Sequence, residues 1–306
     1  MYYSSMAKAV VTGGAGFIGS HLVDALIARG FDVQVIDDYA AGKRPDRMNE
    51  KAVYHNASAT DYAAIAPVCA GAQYVFHLAA LPRVQDSIDH PLETFEVNVT
   101  GTLVLLQAAK EGGVGKFIFA SSAAVYGDLA AMPLREDMSV LPKSPYGLHK
   151  KIGEDACRLW SDIYQLPTVS LRFFNVYGPR FDPDGAYALV VGKFLTLRKD
   201  GKPLTLSGDG SHTRDYVHVK DVVAALIAAA ESTSASGEVF NVATGKETSV
   251  RDLALLIGGA TESAPERLEP ARCVADISKI QTTLGWKASV PLEEGIATLK
   301  QEMGIV

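Results

Sequence analysis

Two residues four positions apart carry the clearest chemical potential in this sequence: Tyr146 and Lys150, in Ser144-Pro145-Tyr146-Gly147-Leu148-His149-Lys150. On a helix that spacing puts both side chains on one face, with Cβ atoms about 5–6 Å apart. An ammonium beside a phenol favours the phenolate, lowering a pKa that is near 10 in isolation. Such a tyrosine can exchange a proton with an alcohol near neutral pH. By itself Tyr-x-x-x-Lys also describes an ordinary exposed helix pair. A second group narrows the choice. The apolar run Lys116-Phe117-Ile118-Phe119-Ala120 reads as a buried strand ending in Ser121 and Ser122. Open α/β sheets bind ligands beyond the C-terminal ends of their strands. Ser122 is therefore placed to hydrogen-bond a substrate hydroxyl or ketone, although serine also commonly caps a helix or turn.

A phosphate-binding loop stands near the N-terminus. Thr12-Gly13-Gly14-Ala15-Gly16-Phe17-Ile18-Gly19 satisfies G-x-G-x-x-G through Gly14, Gly16 and Gly19, and a second spacing through Gly13, Gly16 and Gly19. Glycines there permit a tight turn, close backbone approach to a pyrophosphate, and close packing of helix on strand. The following helix N-terminus offers N–H groups and a partial positive charge. Glycines alone are a weak signal; the next apolar run, ending in Asp37 and Asp38 about 20 residues on, strengthens it. A carboxylate there accepts from a ribose 2′-hydroxyl and repels a 2′-phosphate, which favours NAD over NADP. Lys43 and Arg44, just beyond, are placed to oppose that preference.

The elements that must hold these groups follow an alternating rhythm. Short runs rich in Val, Ile and aromatics at 9–11, 33–36, 74–78, 117–120 and 169–172 read as strands. Segments 18–28 and 99–110 show helical spacing, the second ending at Gly112-Gly113 as a C-cap. Strand–helix alternation implies an α/β fold: a Rossmann-type doubly wound parallel sheet with helices on both faces. Beyond Phe173 the rhythm loosens around Gly178-Pro179, Pro183-Asp184-Gly185 and Ser207-Gly208-Asp209-Gly210-Ser211. Helical patterns persist at 220–231, 250–257 and 278–284, with a strand at 239–242. We therefore expect residues 1–175 to form a nucleotide-binding domain carrying the catalytic groups. Residues 176–306 are expected to form a smaller C-terminal α/β substrate lobe, with a soft boundary that the chain can cross.

Composition removes other classes. A 306-residue chain that is 48% hydrophobic and 21% charged can bury a large core without staples. Its net charge of −6, with no basic block, argues against a dedicated binder of nucleic acid or anionic membranes. Three scattered cysteines (Cys69, Cys157 and Cys273) form no CxxC pair, so neither a disulfide framework nor a thiolate metal site is expected. The longest apolar stretch, 222–230, is far short of the roughly 20 residues of a membrane span. Residues 1–6 show no secretory pattern, so the expectation is a cytoplasmic protein.

Four motifs in order, Gly13-x-x-Gly16-x-x-Gly19, Ser121-Ser122-Ala123-Ala124-Val125-Tyr126-Gly127, Tyr146-x-x-x-Lys150 and Arg172-Phe173-Phe174-Asn175, resemble the extended short-chain dehydrogenase/reductases. Within them the chain is similar to the NAD-dependent nucleotide-sugar epimerase/dehydratase branch, from about Lys8 onward. The resemblance implies tightly held NAD and 4-epimerisation of a UDP-hexose, plain or N-acetylated, through a transient 4-keto sugar. Tyr146 would take the C4 hydroxyl proton, Lys150 would bind the nicotinamide ribose, and Ser122 would hold the C4 oxygen. By the same resemblance Gly13, Gly16, Phe17, Ile18, Gly19, Asp37, Asp38, Ser58, Leu78, Ala79, Ala80, Asn98, Ser121 and Phe173 would surround the cofactor. Arg83, Ala123, Ala124 and Cys273 would face the sugar, Asn175, Arg214 and Arg267 the diphosphate, and Glu269 the uridine ribose. Arg forks suit phosphate oxygens.

Some positions depart from the family pattern. Ser58 stands where relatives often have Asp, Arg267-Leu268-Glu269-Pro270 where many read Arg-x-Gly-Asp, and Pro82-Arg83 where smaller or differently charged residues are usual. Related 4,6-dehydratases and decarboxylases usually carry Glu or Asp-Glu just before Val-Tyr-Gly. Ala123 and Ala124 cannot move protons, which disfavours those lyases. A UDP-glucuronate epimerase, with Arg83 on the carboxylate, is the nearer alternative. A non-catalytic NAD sensor would not be expected to keep Ser122, Tyr146 and Lys150. The small Cys273 leaves room for an N-acetyl group that a tyrosine would exclude, though a free Cys is most often a buried hydrophobe. Helices 99–110 and 147–164 resemble the pair that forms a four-helix homodimer interface in relatives.

Overall fold

The computed structural model describes residues 6–129, 131–181, 190–265 and 270–305. The first half runs β1 (Lys8–Thr12), α1 (Phe17–Ala28), β2 (Asp32–Asp37), β3 (Val53–Asn56), α2 (Tyr62–Cys69), β4 (Tyr74–His77), α3 (Val84–Asp89), α4 (Pro91–Phe95), α5 (Gly101–Glu111), β5 (Lys116–Ser122), α6 (Pro145–Tyr164) and β6 (Thr168–Phe173). The second runs β7 (Asn175–Tyr177), α7 (Val190–Lys199), β8 (Leu204–Ser207), β9 (Thr213–Arg214), β10 (Tyr216–His218), α8 (Val219–Glu231) and β11 (Glu238–Val242). It continues through β12 (Thr248–Ser249), α9 (Val250–Ile257), β13 (Thr261–Ala264), α10 (Ser278–Leu284) and α11 (Leu292–Met303).

Among the described residues the central sheet has seven strands in the order β11-β6-β5-β4-β1-β2-β3, every neighbouring pair parallel. Strands β1, β5 and β6 are almost continuously buried, as expected where helices cover both faces. One apolar cluster packs α1 and α8 on one face, around Leu22, Leu26, Val222 and Leu226. The opposite cluster joins Ile65, Leu105, Leu106, Phe117, Phe119 and Cys157. The order reverses between β1 and β4, so a crevice opens beyond the carboxyl ends of these strands.

The strand expected at 239–242 is β11, which pairs with β6 through Glu238↔Val169 to Val242↔Phe173. The C-terminal half thus returns one strand to the central sheet. Small two-stranded pairings, β7 with β10, β9 with β12 and β8 with β13, supply the rest of that half. Strand β3 escaped the sequence reading because Val-Tyr-His-Asn is short and polar at its end, with no apolar alternation. The helix expected from residue 99 begins at Gly101, after a π-helical turn over Glu96–Thr100. Such turns commonly mark functional positions, and this one carries Asn98. Gly112 is the expected C-cap, and Gly113 follows at φ +63°.

Candidate active site

The glycine loop joins β1 to α1 with almost no spare space. Gly13 has φ +70°, and a Cβ there would lie 2.7 Å from the Ala79 nitrogen. A Cβ on Gly19 would stand 2.1 Å from the Gly13 carbonyl oxygen. No side chain caps α1, whose N-cap is Gly16, so its positive dipole end is left to an anion. Asp37 Oδ2 accepts from the Ala15 N–H at 2.9 Å and Oδ1 from the Tyr39 N–H at 2.8 Å. The carboxylate thereby braces the loop, and each oxygen keeps acceptor capacity for a ribose. Burial pushes its carboxyl upward, and the Tyr39 and Ala15 N–H groups pull it back. Asp38 is exposed and accepts from the Ala40 N–H. Neither neighbouring cation is loose: Arg44 forks onto Asp46 and donates to the Phe181 carbonyl, while Lys43 Nζ lies 5.0 Å over the Tyr39 ring. These residues fit a dinucleotide without a 2′-phosphate. Ser58 engages Thr60 through its hydroxyl, directly after β3.

Across the crevice, Ser144 caps α6 by accepting from the Gly147 N–H at 3.1 Å, and Pro145 occupies the first turn. A Cβ on Gly147 would meet the Ala124 carbonyl oxygen at 2.6 Å. Gly147 therefore lets the helix close on the loop that follows Ser122. The Tyr146 N–H donates to the Oγ of the buried Ser87 at 3.1 Å, and that hydroxyl donates to the Val84 carbonyl. Sequence reading missed Ser87; no short motif announces it.

Ser122, Tyr146 and Lys150 converge as expected. The Ser122 hydroxyl lies near enough to the Tyr146 phenol to favour its ionised form, and its Oγ accepts from the Ala124 N–H. Lys150 Nζ lies 5.9 Å from the Tyr146 ring centre and 4.9 Å from that of Phe119. The electrostatics of the pair need correction, however. The ammonium was expected to lower the phenol, whereas burial pushes Tyr146 up to about 12 and only the Ser122 hydroxyl opposes it. Burial also brings Lys150 down to about 8. Desolvation is the largest influence on both groups.

The wall between the two halves is built from directed hydrogen bonds. Thr102 Oγ1 donates to the Asn98 carbonyl at 2.7 Å, so toward His77 it can only accept, and His77 Nε2 carries the proton. His77 Nδ1 then accepts from Thr12 Oγ1 at 2.8 Å, which in turn accepts from the Ala79 N–H. Asn98 uses its carboxamide on Leu81, accepting from the N–H at 2.8 Å and donating to the carbonyl at 2.9 Å. It therefore shapes the Leu78, Ala79, Ala80 segment that was expected to border the cofactor. Buried Phe173 ends β6 at the same sheet edge. Ser121, expected near the cofactor, points its hydroxyl to Glu154 Oε1 at 2.5 Å. Glu154 and Arg172 form a forked ion pair, both side chains nearly inaccessible at 3–4% exposure. Their signal was present, because an Arg inside the apolar strand Thr168–Phe173 needs a carboxylate partner.

Asn175, at the start of β7, donates through Nδ2 to the Asp215 carbonyl. Arg214 donates to the Pro270 carbonyl at 2.8 Å. Cys273 is half-buried in one apolar cluster with Ala123, Tyr126 and Phe174. Burial pushes its thiol up to about 11, and Arg214 acts against that rise. Ala124 follows Ala123 in the short helical turn after β5. Arg83 caps α3, 3.9 Å from Asp86. Arg267 and Glu269 lie outside the described residues. Among the described residues, no cluster of three or more His, Cys, Asp or Glu is placed to hold a metal, and no helix is long and apolar enough to cross a membrane.

The NAD dependent epimerase/dehydratase family matches residues 9–243. The chain is 40% identical over 304 residues to a UDP-glucose 4-epimerase of Mycolicibacterium smegmatis, covering 95% of this chain and 96% of that one. The UDP-glucose 4-epimerase of Thermotoga maritima, solved with UDP-glucose, superimposes with a TM-score of 0.91 at 36% identity, covering 97% and 99% of the two chains. A UDP-N-acetylglucosamine 4-epimerase of Methanobrevibacter ruminantium, solved with UDP-N-acetylmuramic acid, gives 0.90 at 34% identity over the same shares.

Proposed function

The chain belongs to the NAD dependent epimerase/dehydratase family, and from that premise we propose that it inverts C4 of UDP-hexoses, both plain and N-acetylated. It is an NAD-dependent isomerase. The observation that carries the finer reading is the convergence of Ser122, Tyr146 and Lys150 beside Ala123 and Ala124, which have no acid or base to add. That set can move one proton at C4, and neither alanine adds a further acid or base there for eliminating water or carbon dioxide.

When bound, NAD supplies reversible hydride exchange and, in its oxidised form, a positive ring charge. The protein's own groups do the rest. Tyr146 Oη, once the positive ring charge beside it has offset the burial and left the phenol ionised, takes the proton from the C4 hydroxyl and later returns it to the C4 oxygen. Ser122 donates to that oxygen and steadies it while its charge changes. Lys150 places an ammonium on the same helix face as the phenol, where it is proposed to bind the nicotinamide ribose. Gly13, Gly16 and the start of α1 seat the pyrophosphate, with Asp37 and Asp38 toward the adenosine ribose. Arg214 and Asn175 stand on the diphosphate side, with Arg267 and Glu269 proposed to complete the nucleotide contacts.

Purified protein given UDP-glucose, UDP-galactose, UDP-GlcNAc, UDP-GalNAc and UDP-glucuronate without added NAD is expected to interconvert the first two pairs, read by NMR. Turnover of UDP-glucuronate alone would overturn this and favour Arg83 as a carboxylate contact. Because Cys273 and Ala123 border the same apolar cluster, Cys273→Tyr is expected to reduce the N-acetylated reaction at least about tenfold relative to the plain one, through lost pocket volume. An unchanged ratio would remove Cys273 from the sugar pocket.

We further propose a homodimer through α5 and α6. Leu103 on α5 and Leu148, Leu159, Ile163 and Tyr164 on α6 are exposed apolar side chains, more than a helix pair facing water usually carries. Light scattering should give twice the mass of one chain, and Ile163→Arg should shift it toward one. A monomeric parent protein would refute this assembly.

A further inference from the structure

We propose that Glu154 is a positioning residue that keeps Lys150 charged, as a buried carboxylate one helical turn behind the ammonium, anchored by Arg172 and Ser121. Its bearing on catalysis rests on the reading above; the electrostatic claim does not.

Lys150 is 4% exposed, with its Nζ over the Phe119 ring. Phe119 reaches that position because Gly153, on the next turn of α6, has no side chain: a Cβ there would lie 2.4 Å from the ring. An aromatic face attracts the ammonium, yet cannot alone replace its lost hydration. The groups facing Lys150 are Tyr146, His149, Glu154 and Cys157 on α6, His77 on β4 and Phe119 on β5. Burial pushes the phenol and the thiol up, so both are uncharged near neutral pH. Burial also pushes His77 and His149 down, leaving both neutral. Cys157 and Glu154 both favour the charged lysine electrostatically; with the thiol protonated, Glu154 is the group of this set that supplies a negative charge, partly offset by the Arg172 guanidinium forked onto it from β6.

Its carboxylate is held as such by geometry. Oε1 accepts from Ser121 Oγ at 2.5 Å and Arg172 Nε at 2.8 Å, and Oε2 accepts from Arg172 Nη2 at 2.8 Å. The i, i+4 spacing from Lys150 puts both on one face of α6. Burial holds Lys150 at about 8, so a further loss of negative charge nearby would discharge it at neutral pH.

The test follows the Lys150 Cε resonance through a pH titration of the full chain labelled with [13C]lysine, assigned by its disappearance in Lys150→Met. Glu154→Gln keeps the shape and removes the charge; the Lys150 midpoint is expected to fall by at least about one unit. Glu154→Gln with Arg172→Gln, which removes both charges of the pair and leaves no lone guanidinium in the core, is expected to lower it less than Glu154→Gln alone. A midpoint in Glu154→Gln within a few tenths of the parent, or one in the double variant as low as in Glu154→Gln, overturns the proposal. Should neither variant fold, the unsubstituted protein decides. The Glu154 carboxyl carbon must then show a step at the Lys150 midpoint that vanishes in Lys150→Met, and the absence of that step overturns the proposal. No sugar is present in these titrations, so a failed UDP-sugar panel refutes the proposed function and leaves this result standing.

Discussion

Tyr146→Phe is expected to lower kcat for UDP-hexose epimerisation by about 10²–10⁴-fold, the usual worth of a positioned acid–base group, while NAD remains bound. The substitution removes one oxygen and keeps the ring. The ring's packing, the Tyr146 N–H to Ser87 contact and the Ser144 cap belong to backbone or neighbouring atoms and persist. Lys150 stays on Phe119, whose support comes from β5 and Gly153. What disappears is the oxygen whose ionised form Ser122 favours, and with it the only proton acceptor proposed to face C4. Single-turnover NMR together with calorimetric titration of NAD separates the outcomes. A rate within tenfold of the parent refutes the assigned base. A comparable loss of NAD affinity would mean that the phenol is a binding group, with its role in proton transfer unproven.

The parts of this site that lie close in sequence were the readable parts. Tyr146 and Lys150 sit one helical turn apart, and the glycine loop, with Asp37 at the next strand end, fits inside a single strand–helix–strand unit. Each is a local pattern, and local geometry fixes it. Contacts that bridge distant segments left little trace: Ser87 under Tyr146, Asn98 on Leu81, and His77 between Thr12 and Thr102. Their residue types are unremarkable, and only the sheet order brings them together. Arg172 and Glu154 were detectable in principle, since a cation in an apolar strand demands a partner, but the spacing does not say which carboxylate answers it. The direction of the Tyr146 shift was misjudged for a related reason. The i, i+4 rule captures the ammonium's pull, whereas desolvation depends on how deeply distant strands enclose the pair. The same blindness covers β11, whose sequence reads as a strand but whose place beside β6 is a matter of topology.

The buried histidines predict how the fold responds to acid. His77 is pushed down to about 3, by burial first and by the Lys150 ammonium second. Its ring is 1% exposed and bonded on both nitrogens. His218, 4% exposed, is pushed down to about 4 chiefly by burial, and its Nδ1 accepts from the Lys220 N–H at the start of α8. In the unfolded chain both rings titrate near 6.5. Between that value and the folded ones the unfolded state binds more protons, so stability is complete above about pH 6.5 and falls as pH drops. At pH 5 each ring contributes a loss of about 2 kcal/mol, together about 4 kcal/mol, a large share of ordinary domain stability. Asp37, Asp215 and Glu136, whose carboxyls burial pushes up, act in the opposite sense as acid is added. The histidine share is therefore isolated by comparison: urea unfolding at pH 7.5 and pH 5.0, for the parent and for His77→Gln. The variant starts weaker at pH 7.5, because Thr12 and Thr102 lose their bridge, yet its further loss on acidification should be smaller by about 2 kcal/mol. Equal pH dependence in the two proteins would mean that His77 is not held neutral, and that the hydrogen-bond chain from Ala79 to Asn98 does not run in the direction assigned.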